Sequence, residues 1–156
     1  MAGISIDPEE LVWETRPHEP GEPARHVAEV SEQVGLVSTR ANVWRYEPGA
    51  AGRRHVHELQ DEVFVVLAGT LSMYVGEPPQ RRDVATGGVI HIAAGTPLQS
   101  ANHGSADLLV FAYGAPPYPT ALDMYRELDR VTPDSLTYLL EDNFKYITLY
   151  NNRMLS

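Results

Sequence analysis

From about residue 26 to residue 113 the chain is a succession of short apolar runs rich in Val, Ile, Tyr and Phe. Turn signals break these runs: EPGAAG at 47–52, AGT at 68–70, VGEPPQ at 75–80, TGG at 86–88, AAGTP at 93–97 and NHGSAD at 102–107. Short strands at regular spacing between Gly/Pro turns predict an all-β antiparallel sandwich or barrel. Side chains alternate along a strand, so Trp44 and Tyr46 fall on one face and Val43 and Arg45 on the other. On either side the pattern changes. Residues 1–25 form a lead-in whose RPHEPGEP stretch, 16–23, reads as an extended surface loop. After residue 115, TALDMYRELDR (120–130) places Leu122, Tyr125 and Leu128 at helical spacing behind a Thr-x-x-Asp start. TPDSLTYLLED (132–142) predicts a second helix, with Thr132 as cap and Pro133 in its first turn. NFKYITLY (143–150) is β-rich and holds Lys145, the chain's one lysine. The expected organisation is a lead-in at 1–25, a barrel at 26–115 and a helical/β appendage at 116–156.

Composition narrows the function. The 156 residues suffice for one domain with a core. Twelve basic residues against twenty-one acidic ones give a net charge of −9. So acidic a chain, without a long basic run, repels phosphate backbones and anionic membranes, which argues against nucleic-acid and membrane partners. The absence of cysteine removes disulfides, thiolate metal sites and cysteine nucleophiles. No secretory signal is visible at the start, and no apolar run approaches the ~18 residues of a membrane span. A cytoplasmic location is the expectation.

One stretch carries chemistry. GAAGRRHVHELQDEVFVVLAG, residues 49–69, sets His55 and His57 two apart on a strand, so both imidazoles leave the same face. Glu62 follows at the start of the next strand. An isolated His-Val-His is ordinarily structural; here it is framed by Gly49 and Gly69 with a carboxylate at fixed offset. These five positions match the first cupin motif, G-x5-H-x-H-x4-E-x6-G, at every fixed place, and the chain resembles the cupin superfamily. The second motif, G-x5-P-x-G-x2-H-x3-N, fits GGVIHIAAGTPLQSAN at Gly87, Gly95 and Asn102. Ala93 replaces its proline, and Leu98 replaces its histidine.

The resemblance implies a small jelly-roll β-barrel, here with short C-terminal helices and a terminal β segment. It also implies a metal inside the barrel, one divalent transition ion among Fe, Mn, Ni, Co, Cu and Zn. His55, His57 and Glu62 are the expected ligands; two imidazoles and a carboxylate form a facial set that leaves coordination positions open. Leu98 withholds the family's third imidazole. His91 and His103 are the conceivable substitutes. His103 reads as an exposed turn residue, while His91, between Ile90 and Ile92, has a parity compatible with either the cavity or the outer surface. Gln99 should point away from the vacant position.

Trp44, Tyr46, Phe64, Met73 and Leu98, with His91, are the candidate substrate-binding residues. They imply a small, largely apolar or aromatic organic ligand. Arg45, Arg53 and Arg54 offer charge for an anionic ligand at the barrel mouth, although paired arginines commonly form a solvated face. The leading function is metal-dependent oxygenation, isomerisation or cyclisation. One alternative is a non-catalytic small-molecule binding or sensing module, supported by Leu98. Another is a metal-free isomerase or epimerase with His55 or His57 as general base. Small cupins commonly dimerise, so a homodimer is expected.

Overall fold

The computed structural model describes residues 3–117 and 125–128. Eleven strands run through them: β1 (Trp13–Thr15), β2 (Arg25–Glu29), β3 (Arg40–Tyr46), β4 (Arg54–His57), β5 (Asp61–Ala68), β6 (Leu71–Val75), β7 (Gln80–Val84), β8 (Val89–Ile92), β9 (Leu98–Ala101), β10 (Leu108–Ala115) and β11 (Tyr125–Leu128). Every pairing is antiparallel. They form a six-stranded sheet, β1-β2-β3-β10-β5-β8, and a five-stranded sheet, β11-β4-β9-β6-β7. This is the jelly-roll arrangement expected from the sequence. Among the described residues no helix is long and apolar enough to cross a membrane.

Alternation decides which residues meet between the sheets. Along β10, Leu108, Val110 and Ala112 are buried, while Leu109 and Phe111 on the opposite face are only half-buried. The inward residues join Tyr46, Phe64, Val66, Leu71, Met73, Ile92 and Leu98 in one core. Met73 and Leu98 are almost wholly enclosed, and each such side chain contributes about 2 kcal/mol of burial. A second cluster lies on the outer face of β3 and β10, where Val30, Ala41 and Val43 are covered by Ile6, Leu11 and Val34. The lead-in is therefore an integral part of the sheet. It supplies edge strand β1 and a cover for apolar residues that would otherwise face water.

The C-terminal expectation needs a correction. Tyr125–Leu128 is a strand, although helical spacing placed it within a helix at 120–130. It pairs with Arg54–His57, whose outer backbone edge needs hydrogen-bond partners, and Leu128 is buried. That tertiary pairing outweighs local periodicity. The second predicted helix, 132–142, and the β-rich segment 143–150 lie outside the described residues.

Backbone bonds join the two motif regions into one frame. The Gly49 amide donates to Asn102 O (2.9 Å) and the Gly95 amide to His57 O (2.8 Å). Asn102 Nδ2 donates to Tyr46 O and Ala106 O, and its Oδ1 accepts from the Gly104 amide. Gly69 has φ +80°, and a Cβ there would sit 3.0 Å from Asp107 O. Only glycine meets both demands.

Candidate metal centre and cavity

His55 and His57 project from the same face of β4, and Glu62 lies one residue into β5. The intervening Glu58–Gln60 turn brings all three to the interior. The two Nε2 atoms are 3.0 Å apart, and His57 Nε2 is 2.6 Å from Glu62 Oε1. One ligand atom from each residue lies within 4.8 Å of the others. Among the described residues this is the group with ligand atoms close enough to hold one ion.

The chemical state of these groups suits a cation. His55 Nδ1 is 2.8 Å from the carbonyl oxygen of Arg53, which can only accept, so Nδ1 carries the proton. In the neutral ring the lone pair then resides on Nε2, the form of imidazole that binds a metal. Burial, followed by the charge of His57, pushes the His55 pKa down to about 4, so the ring is neutral near pH 7. Burial opposes the charged form of Glu62. Contact with His57, with further help from His55 and Arg40, outweighs it and lowers the Glu62 pKa. Glu62 Oε1 is buried and makes no hydrogen bond of good geometry despite its approach to His57. A buried carboxylate oxygen and an unprotonated imidazole nitrogen directed at one point are a donor set for a metal ion.

The group opens into a cavity of about 520 Å³. Trp44, Tyr46, Phe64 and Leu98 line it. Leu98 is paired with His55 across β4 and β9, so the position of the family's third imidazole is filled by an apolar side chain beside the candidate ligands. Gln99 is buried outside the cavity lining, as its parity implies.

Two candidate cavity residues are corrected. Met73 is fully buried in the core and does not line the cavity. His91 faces outward: its side chain is 57% exposed, with Nε2 3.9 Å from Asp61 Oδ1. Ile90 and Ile92 take the interior face of β8, and alternation sends His91 to the other side. His103 is an exposed turn residue, with Nε2 2.9 Å from the Tyr74 hydroxyl.

The arginines are redistributed as well. Arg53 lines the cavity, but Arg45 pairs with Asp107 on the outer face and Arg54 is buried away from the lining. Arg16, Arg25 and Arg40, which the sequence reading did not single out, join Arg53 instead. They come from the residue after β1 and from the first positions of β2 and β3, so no short motif marks them. Strand parity relative to Trp44 was the available signal for Arg40. Asn42 also lines the cavity; its buried Oδ1 has no hydrogen-bond partner among the described residues.

The comparisons agree with this architecture. The profile of the cupin domain family matches residues 42–113. A sugar phosphate isomerase of the cupin superfamily from Silicibacter pomeroyi superposes with a TM-score of 0.64 at 20% identity, covering 85% of this chain and 99% of that one. A Thermotoga maritima protein described as a predicted oxalate decarboxylase gives 0.63 at 19% identity, covering 73% and 100%. An oxalate oxidase in complex with the substrate analogue glycolate gives 0.54 at 20% identity, covering 65% and 54%. No curated protein sequence matches significantly. Likeness at these identities carries the fold and not the reaction. With both motif regions joined in one antiparallel barrel, residues 42–113 match the cupin domain family and the fold is that of the cupin structures.

Proposed function

We propose that the chain is a metal-dependent cupin enzyme acting on a small organic molecule bound in the barrel. His55, His57 and Glu62 hold one divalent transition metal. The observation that carries this reading is the convergence of their three ligand atoms on one side of the cavity. When bound, such an ion supplies a Lewis acid for a substrate oxygen or a site for dioxygen, which suits isomerisation, cyclisation or oxygenation.

The chain's own side chains do the remaining work. Trp44, Tyr46 and Phe64 give the substrate flat apolar walls and exclude water. The Tyr46 hydroxyl is tied to Ser100 Oγ at 2.6 Å, which fixes that wall. Leu98, lacking a lone pair, keeps one side of the site clear of protein ligands. The named neighbours, a sugar phosphate isomerase and an oxalate oxidase, are proteins whose substrates are small and oxygen-rich, and a substrate of that kind supports the same reading. A cytoplasmic setting accords with the lack of cysteine, and a homodimer would cover the open sheet edges.

Elemental analysis of purified protein beside a His57→Ala variant tests the proposal. The expected result is about one metal per chain in the parent and loss of it in the variant. Metal-free parent protein whose stability is indifferent to chelator would reject it. One observation favours a second reading, that of a non-catalytic binding module: Leu98 occupies the position of the missing ligand. Stoichiometric metal and tight ligand binding without turnover would select it.

A further inference from the structure

The six-stranded sheet presents a row of charge and aromatic surface to the cavity. Arg25 is paired with Tyr46 across β2 and β3, and the Arg16 amide donates to Arg25 O, so Arg16, Arg25 and Tyr46 are side by side. The guanidinium carbons of Arg16 and Arg25 lie 5.7 and 5.5 Å from the Trp44 ring centroid. Arg25 is also 5.8 Å from the Tyr46 ring. Arg53 and Arg40 line the same space.

This grouping opposes the character of the chain. The net charge is −9, and Lys145 accounts for one of twelve basic residues, leaving eleven arginines. Four of them line one cavity, against the carboxylates of Glu14 and Glu62. Arg40 is paired with Glu29 at 3.7 Å, whereas Arg16 and Arg25 have little acidic compensation. Arg16 has only the loose contact with the exposed Glu14 at 3.7 Å, and Arg25 has no ion pair among the described residues. A guanidinium stacked on an aromatic ring still offers its N–H edge, and that planar fork matches a carboxylate or phosphate.

We propose that Arg25 and Arg16, held against Trp44, form an anion-binding subsite that takes the carboxylate or phosphate group of the substrate. The substrate is then a small organic anion, anchored at one end by these arginines and presenting its reacting oxygen to His55, His57 and Glu62. This rests on the reading of the cavity as the substrate site. It replaces the apolar ligand expected from sequence with one that has an anionic head and a flat or apolar body.

Titration calorimetry on wild-type, Arg25→Gln and Arg25→Lys protein tests it. Malonate and inorganic phosphate serve as anionic probes, benzoate as an aromatic anion and benzamide as its neutral counterpart. Benzoate should bind wild-type protein at least tenfold more tightly than benzamide. Arg25→Gln should weaken the anions at least tenfold, with metal content and melting temperature unchanged, and Arg25→Lys should weaken them less. Tighter malonate identifies a carboxylate ligand and tighter phosphate a phosphate ester; either supports the subsite. Equal affinity for benzoate and benzamide, or anion affinity unaltered in Arg25→Gln, overturns it. Metal measured on the same samples separates the two readings. Arg25-dependent anion binding in protein without metal keeps the subsite and removes the metal centre. Stoichiometric metal without anion affinity does the reverse.

Discussion

His55 and Leu98 are cross-strand partners on β4 and β9, so an apolar side chain stands beside a candidate metal ligand. Replacement of Leu98 by His places a third imidazole next to the first two. Leu98→His is expected to tighten metal binding on the order of tenfold, because one more neutral donor replaces a non-ligand. The metal-free variant should lose about 2 kcal/mol of stability, since Leu98 is 2% exposed and its pocket is apolar. Chelator competition and thermal melts with and without metal measure both effects. Unchanged metal affinity would mean that position 98 does not address the ion.

Acid should destabilise the metal-free protein in a defined window. The His55 pKa is about 4 in the folded chain, against 6.5 for an unperturbed histidine, because burial disfavours the imidazolium. Between those values the unfolded chain binds the extra proton and the folded chain does not. Stability is therefore fully present above about pH 6.5 and lost as pH falls toward 4. Glu62, whose pKa is lowered, adds a further loss below 4.5. Denaturant titrations from pH 7 to 4 should show this slope, and His55→Gln should flatten its upper part. An equal slope in the variant would assign the acid sensitivity elsewhere.

The sequence revealed the frame of the site better than its charge. Gly49, Gly95 and Asn102 stand at motif spacing because they close hydrogen bonds between the two motif regions, each motif fixing its own end of the bonds. His55, His57 and Glu62 were readable because one turn brings them together within a single motif. Arg16, Arg25 and Arg40 were not, because each sits on or beside a different strand and they meet only when β1, β2 and β3 pair side by side. His91 needed only the parity of its strand, which the burial of Ile92 settles. The strand at Tyr125–Leu128 was hidden by helical spacing and exists through its pairing with β4.

Gly114 carries a prediction that no motif suggests. It lies between Arg40 on β3 and Glu62 on β5 in the paired register. A Cβ at Gly114 would meet Asp61 O and Gln60 Cδ, each at 2.7 Å. Backbone oxygen cannot swing aside, so the start of β5 must move, carrying Glu62 with it. Gly114→Ala should cost roughly 1–3 kcal/mol and weaken metal binding. Gly87→Ala is the control. That residue has φ +86° and open space around it, so its variant should lose about 1 kcal/mol through backbone strain and keep its metal affinity. Equal metal affinity in the two variants would show that the β5 entry does not position Glu62.

Asn42 offers the last test, one in which stability and binding should move in opposite directions. It is 8% exposed, lines the cavity, and has a buried Oδ1 without a hydrogen-bond partner among the described residues. An unsatisfied buried carbonyl costs about 1–3 kcal/mol, and an apolar group of the same shape removes that penalty. Asn42→Leu should therefore raise the melting temperature of the ligand-free protein. The amide lies on the same face of β3 as Arg40 and Trp44, next to the proposed anion subsite, so the substitution should also weaken malonate binding several-fold. Melts and titrations on the same samples read both effects. A variant less stable than wild type would show that Asn42 is already satisfied in solution, and unchanged malonate affinity would place the anion beyond its reach.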